Sequence, residues 1–248
     1  TFTINSADEG IVSPGDITIS GGDFEISVGT DQGCHGIKAQ NLCTVMGGTL
    51  LISSCYEGIQ AHYIDIYGGD LTIYPADDGL NASTSGGSGG MDMGGMDNMG
   101  GQMPSEMGGM PGAEGSMPNA GSGSSSETSE EIPWLHISGG SILIVNDSAR
   151  DADGLDSNGD IIISGGDIRV SLTNSGSNSA IDYGSENGGV CEISGGTVVA
   201  CGSYSMAEGF DSTSTQCSVL YNISSGAEAG TTVYLKDQEG NVLISYDV

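Results

Sequence analysis

Positive charge is the scarcest thing in this sequence: 4 of its 248 residues are Lys or Arg against 33 Asp or Glu, a formal net charge of −29. Such a chain repels bare nucleic acid and anionic lipid, which excludes both as partners held by charge. A metal cation is the partner it invites. Aromatic residues are few as well, 5% of the chain with a single Trp, so any sugar-stacking surface has to be small. No run of apolar residues is long enough for a membrane-spanning helix. No charged leader followed by an apolar run opens the chain, so a signal peptide, if the gene has one, is expected to have been removed. Long amphipathic helical patterns are missing, and short β-branched runs take their place, which predicts an all-β fold. The six cysteines lack CxxC spacing, which excludes zinc-ribbon and dithiol redox motifs. In so acidic and lysine-poor a chain they fit export to a secreted or cell-surface location.

What the sequence does have is repetition. Strand, Gly-Gly, strand recurs as ITISGGDFEI, TVMGGTLLI, IDIYGGDLTI, LHISGGSILI, IIISGGDIRV and CEISGGTVVA. A second motif, acid-Gly-aliphatic-x-small, alternates with it, as in Glu57-Gly58-Ile59-Gln60-Ala61 and Asp153-Gly154-Leu155-Asp156-Ser157. Counting two degenerate copies, its central apolar residue falls at 11, 37, 59, 80, 155, 181 and 210. All but one of the steps are the size of one coil of a β-solenoid, in which equivalent residues stack at about 4.8 Å. This predicts a right-handed parallel β-helix of about seven coils spanning residues 1–248 as a single domain. A β-sandwich with glycine-rich hairpins would have no reason to keep one motif in register. Ile17, Cys43, Ile64, Leu135, Ile161 and Cys191, each four residues before a Gly-Gly turn, are expected to form one inward ladder.

The long step between 80 and 155 contains a low-complexity Gly/Met/Ser-rich insertion, residues 83–131, whose composition cannot offset its ordering entropy. Its methionines suit a soft metal such as Cu(I) or, with no His or Cys beside them, an adaptable contact surface. Residues 231–246 alternate across an acidic-Gly turn and read as a terminal β-hairpin.

Stacking the second motif builds two polar columns, Val12-Lys38-Gln60-Asn81-Asp156-Asp182-Asp211 and Glu9-His35-Glu57-Asp78-Asp153-Ser179-Glu208. Like charges one coil apart cost about 3 kcal/mol each at an effective dielectric near 20, so a counter-ion is expected. Oxygen-only ligands on flexible turns favour Ca²⁺ over zinc. The expected ligands are Asp77, Asp78, Asn81, Asp151, Asp153, Asp156, Asp182, Glu208 and Asp211; a solvated acidic edge is the competing reading. Cysteines 191 and 217, one coil apart, are candidates for a bridge across adjacent coils, with buried free thiols as the alternative.

The segments SCYEGIQAHYIDIYGGDLTIYPADDGLNAS and DGLDSNGDIIISGGDIRVS, with a Gly/Met-rich insertion between them, resemble a bacterial family of calcium-binding parallel β-helix carbohydrate-binding domains of pectate-lyase-like fold. The resemblance covers most of the chain. It implies calcium-dependent, non-catalytic binding of plant cell-wall polysaccharide, cellulose-like or pectin-like, outside the cell. His35 and Ser179 stand where that family's pattern carries an acid. Tyr63, Tyr67, Tyr74 and Trp134 are the expected sugar-stacking residues. Catalysis is not expected: a lyase needs a strong base, and Arg150, the one cation beside the acidic cluster, pairs more simply with Asp151 or Asp153. Open coil edges make end-to-end self-association into filaments the alternative reading.

Overall fold

The computed structural model describes residues 1–84, 132–147, 152–172, 179–223, 226–228 and 230–247. Most of residues 83–131, and Arg150 and Asp151, lie outside this set. The described chain is nearly all β. One eleven-stranded and one six-stranded sheet are parallel throughout, and a two-stranded antiparallel pair follows. The only helical turn among the described residues is a 3-10 turn, Ser185–Asn187.

The parallel strands stack as three ladders. The first comprises β3 (Ile17–Ile19), β6 (Leu42–Val45), β9 (Tyr63–Ile66), the leading halves of β12 (Trp134–Asn146) and β14 (Asp160–Leu172), and β16 (Cys191–Ile193). The second comprises β1 (Phe2–Asn5), β4 (Asp23–Ser27), β7 (Thr49–Cys55), β10 (Asp70–Pro75), the trailing halves of β12 and β14, and β17 (Thr197–Cys201). The third comprises β2 (Ile11–Ser13), β5 (Ile37–Ala39), β8 (Ile59–Ala61), β11 (Leu80–Ala82), β13 (Leu155–Ser157) and β15 (Ile181–Tyr183). Each pass of the chain through a Gly-Gly motif crosses from the first ladder to the second. The first six acid-Gly motif copies then each place one strand in the third.

Alternation along each strand sends every second side chain inward, where it meets its equivalent in the next repeat. The inward column Ile17, Cys43, Ile64, Leu135, Ile161, Cys191 is in unbroken register. Ile26, Ile52, Ile73, Ile144 and Val170 form a second such column and are wholly buried. Ile37, Ile59, Leu80 and Leu155 do the same in the third ladder. Each fully buried aliphatic side chain contributes about 1.5–3 kcal/mol. The core is therefore a stack of short aliphatic files, and it needs no large aromatic residue.

The motif glycines are required by close approach. A Cβ on Gly79 would lie 2.6 Å from the Gly154 carbonyl oxygen and 2.7 Å from Ile144. At the Gly-Gly corners the second glycine takes a left-handed φ, +107° at Gly69 and +94° at Gly140, with the neighbouring repeat's backbone packed beneath it.

Two expectations are corrected. The seventh motif copy, Glu208 to Ser212, is not a strand, and β15 has no further neighbour in the six-stranded sheet. Cys191 and Cys217 are both free, one buried and the other exposed. The cause is common to both. After β17 the chain leaves the ladders, so residue 217 does not sit one repeat beyond residue 191. The hairpin pairs β18 (Thr232–Lys236) with β19 (Val242–Asp247), and the Tyr246 hydroxyl hydrogen-bonds Ser171 at 2.5 Å.

Candidate metal centre

The two polar columns are built on the third ladder and on the turns that lead into it. Strand pairing puts Gln60, Asn81, Asp156 and Asp182 side by side in consecutive repeats. Three residues earlier, backbone bonds from Gly36 to Glu57, Gly58 to Asp78 and Gly79 to Asp153 align His35, Glu57, Asp78 and Asp153. Gly58 and Gly79 thus each allow an acid to stand directly above an acid.

Two groups of carboxylates result, Glu57 with Asp77 and Asp78, and Asp153 with Asp156 and Asp182. Within each group one oxygen per residue lies within 4.8 Å of the others. Their hydrogen bonds connect successive repeats. Asp78 accepts the Asp153 backbone N–H at 2.9 Å, and Asp153 accepts that of Ser179 at 2.8 Å. Between the groups, buried Asn81 donates its amide to Asp78 at 3.0 Å and to Glu57 at 3.3 Å. Its Oδ1 is buried and has no partner among the described residues. An acceptor left unsatisfied in this way costs about 1–3 kcal/mol.

Burial raises the Asp78 carboxyl well above the usual carboxylate range, and the charges of Asp156 and Asp77 raise it further. Burial does the same to Asp156, followed by Asp153 and Asp182. Asp182 is raised by burial and by Glu186, against the opposing pull of the Tyr183 N–H. These carboxyls therefore resist ionising together without a cation. Repulsion of about 3 kcal/mol per adjacent pair, and an orphaned amide oxygen beside them, are what a hard divalent ion would relieve.

One position in the stack is not acidic. His35 is buried between Glu9, 3.4 Å from Nδ1, and Glu57, 3.3 Å from Nε2, with the Lys38 ammonium 3.7 Å from Glu9. The substitution of His for acid thus places an imidazole where the next repeats place carboxylates.

Of the nine expected ligands, the structure brings together Asp77, Asp78, Asn81, Asp153, Asp156 and Asp182. Asp151 lies outside the described residues. Glu208 and Asp211 are engaged elsewhere, at the end of the stack. Glu208 accepts the Tyr183 N–H at 3.2 Å, and Asp211 accepts the Cys191 N–H at 2.8 Å and the Tyr183 hydroxyl at 3.2 Å. Glu57 is the added member. Its place in the column was visible in the sequence, but the packing that buries it was not.

The aromatic residues divide similarly. Tyr67 and Tyr74 are exposed, whereas Tyr63 is 7% exposed, because the ring of its register partner Trp134 stacks on it at 3.7 Å. Tyr63 is therefore no free sugar platform. Among the described residues, no helix is long and apolar enough to cross a membrane. No family model, curated protein or solved structure matches the chain.

Proposed function

We propose that the chain is a right-handed parallel β-helix that binds Ca²⁺ in its stacked acidic turns and, outside the cell, holds plant cell-wall polysaccharide without acting on it chemically. Three parallel ladders visited in turn support the helical winding, and parallel crossovers are right-handed almost without exception. The observation that carries the cation reading is Asn81, whose buried Oδ1 lacks a partner between two groups of carboxylates that burial holds back from ionising. Asp77, Asp78, Glu57 and Asn81 would hold one ion and Asp153, Asp156 and Asp182 another. Carboxylate and amide oxygens on turns are the donors calcium prefers. Bound ions would neutralise the columns and fix the spacing of the repeats.

The polysaccharide part rests on the resemblance in the acid-Gly and Gly-Gly motifs and on the exposed Tyr67 and Tyr74. The non-catalytic part is supported by two of the four cations, since Lys38 faces Glu9 at 3.7 Å and Arg169 faces Asp167 at 3.4 Å. Calorimetric titration of chelator-treated protein with CaCl₂ tests the first part, with saturable binding expected. Co-sedimentation with insoluble cellulose and pectin, in calcium and in EDTA, tests the second. Absence of calcium binding, or equal retention in both buffers, contradicts the reading.

A further inference from the structure

The outward face of the first ladder carries a groove of about 220 Å³ that the acidic columns do not touch. Asp65, His136 and Ile162 form one row across β9, β12 and β14, and Tyr67, Ser138 and Ser164 follow two residues on; all six line the groove. We propose that this groove binds a neutral pyranose ring of a polysaccharide chain, with Tyr67 as its flat platform and Asp65 and His136 as its hydroxyl-binding edge. The proposal rests on the polysaccharide reading above and gives it a site and a sugar class.

A pyranose has apolar C–H faces and a rim of hydroxyls, so it needs a flat aromatic or aliphatic surface beside groups that accept and donate hydrogen bonds. Tyr67 is 57% exposed and Ile162 is half-buried, which supplies the first. Asp65, His136 and the exposed serines supply the second. The polar edge is held in place before any ligand arrives. Asp65 Oδ1 accepts the Trp134 indole N–H at 3.1 Å and lies 3.4 Å from His136 Nδ1. The Trp134 ring is itself stacked between Tyr63 at 3.7 Å and His136 at 5.2 Å. Side chains locked in this way lose little freedom on binding.

The charge pattern selects the sugar. Asp65 faces the groove, and burial lowers the basicity of the His136 imidazole against the opposing pull of Asp65 and Asp160, which favours its neutral form. A uronate would bring a carboxylate against carboxylates, whereas a neutral hydroxyl can donate to Asp65. Beyond Tyr67 a chain finds room to continue. The adjoining corner is an open trough of about 500 Å³, lined by five corner glycines together with Thr49, Asp70 and Ser141.

Trp134 is the chain's single tryptophan and touches both members of the polar edge, so its emission reports occupancy. Titrating the full chain in calcium buffer with cellohexaose should shift that emission saturably, and oligogalacturonate should not. Tyr67→Ala should weaken cellohexaose binding at least tenfold and His136→Ala should weaken it measurably. Tyr221→Ala, remote in sequence and 79% exposed, should bind as the wild type does. If the wild type sediments with cellulose but Tyr67→Ala and His136→Ala bind cellohexaose undiminished, the groove is not the site and the wider reading stands. If the wild type binds no glycan, both fall. An equal response to oligogalacturonate overturns the choice of a neutral sugar.

Discussion

An aspartate flanked by other carboxylates, as Asp156 is by Asp153, Asp182 and Asp78, stays protonated to higher pH than a free one, because burial and each neighbour penalise the charged form. The consequence for stability has a definite sign. Asp78, Asp156 and Asp182 have folded-state values raised above the unfolded ones. Their stabilising contribution is therefore complete below the ordinary carboxylate range and is lost as pH climbs through the raised values. Metal-free protein should melt highest in mild acid and lower as pH rises. Calcium needs the ionised carboxylates, so its stabilisation should grow across the same interval. At a hundredfold excess over Kd one ion contributes about 2.7 kcal/mol, or about 5–10 °C in Tm for a domain of this size. Melting curves from pH 4 to 8 in EDTA and in calcium measure both slopes, and parallel curves would refute the linkage. Asp156→Asn should raise Tm in EDTA by removing one repelling charge and weaken calcium binding at least about tenfold, about 1.4 kcal/mol. The columns were legible in the sequence because the motif repeats in register. The burial of Glu57 and Asn81 was not, because it depends on the side chains of neighbouring repeats. The thiols show the same limit. Cys34, Cys43, Cys55 and Cys191 are buried, and burial pushes Cys43, Cys55 and Cys191 up to about 12. Native protein should thus be alkylated by iodoacetamide first at exposed Cys217 and only slowly at those four. All six should react in denaturant without reductant, and mass spectrometry showing two residues protected there would reveal a bridge.

The three-residue strands of the third ladder are too short to be stable alone, and they persist because each lies on its copy in the next repeat. That makes the glycine before each strand a structural requirement. Gly79→Ala would push a methyl group against the Gly154 carbonyl oxygen and Ile144, and should cost about 1–3 kcal/mol in denaturant unfolding. Gly15→Ala is the control, since a Cβ there meets nothing within 4 Å, and it should be neutral or slightly stabilising. Equal effects of the two changes would mean that close approach is not what selects glycine. The ladder register could be read in advance because strand spacing, Gly-Gly turns and inward aliphatic residues all share one period. The last copy could not. Glu208-Gly209-Phe210-Asp211-Ser212 has the motif's letters, but it adds no strand to the six-stranded sheet beyond β15, and Phe210 is only partly buried against the core. A local motif shows what a segment can pair with. Whether it does pair depends on the chain beyond it.

At the scale of the molecule, a stack of parallel strands has ends, and an end with free N–H and C=O groups is a template for another copy. Here one end is occupied by side chains. The N–H groups of Ile181 and Tyr183 in β15 go to Ser179 Oγ and to the Glu208 carboxylate. Those of Cys191 and Ile193 in β16 go to Asp211 and Ser214. The segment that fails to make a seventh repeat supplies three of these four acceptors and so covers the edge, and two of the three are carboxylates in a chain of net charge −29. A second copy approaching this edge meets donors already taken and a like-charged surface. This favours a monomer over the end-to-end filament, and multi-angle light scattering at rising concentration should return a mass near 24.9 kDa. The sharper experiment removes the caps. Glu208→Ala with Asp211→Ala frees the backbone donors of Tyr183 and Cys191 and deletes two repelling charges at the same edge. The double variant should assemble in a concentration-dependent way in high salt, where the remaining repulsion is screened to within about 10 Å or less. Circular dichroism should still show its β content, because the inward columns up to Cys191 are untouched. If the variant stays monomeric with its β signal intact, the carboxylates are not what closes this end, and the covering backbone of residues 211–216, whose N–H groups reach Cys191 and Ile193, is sufficient by itself.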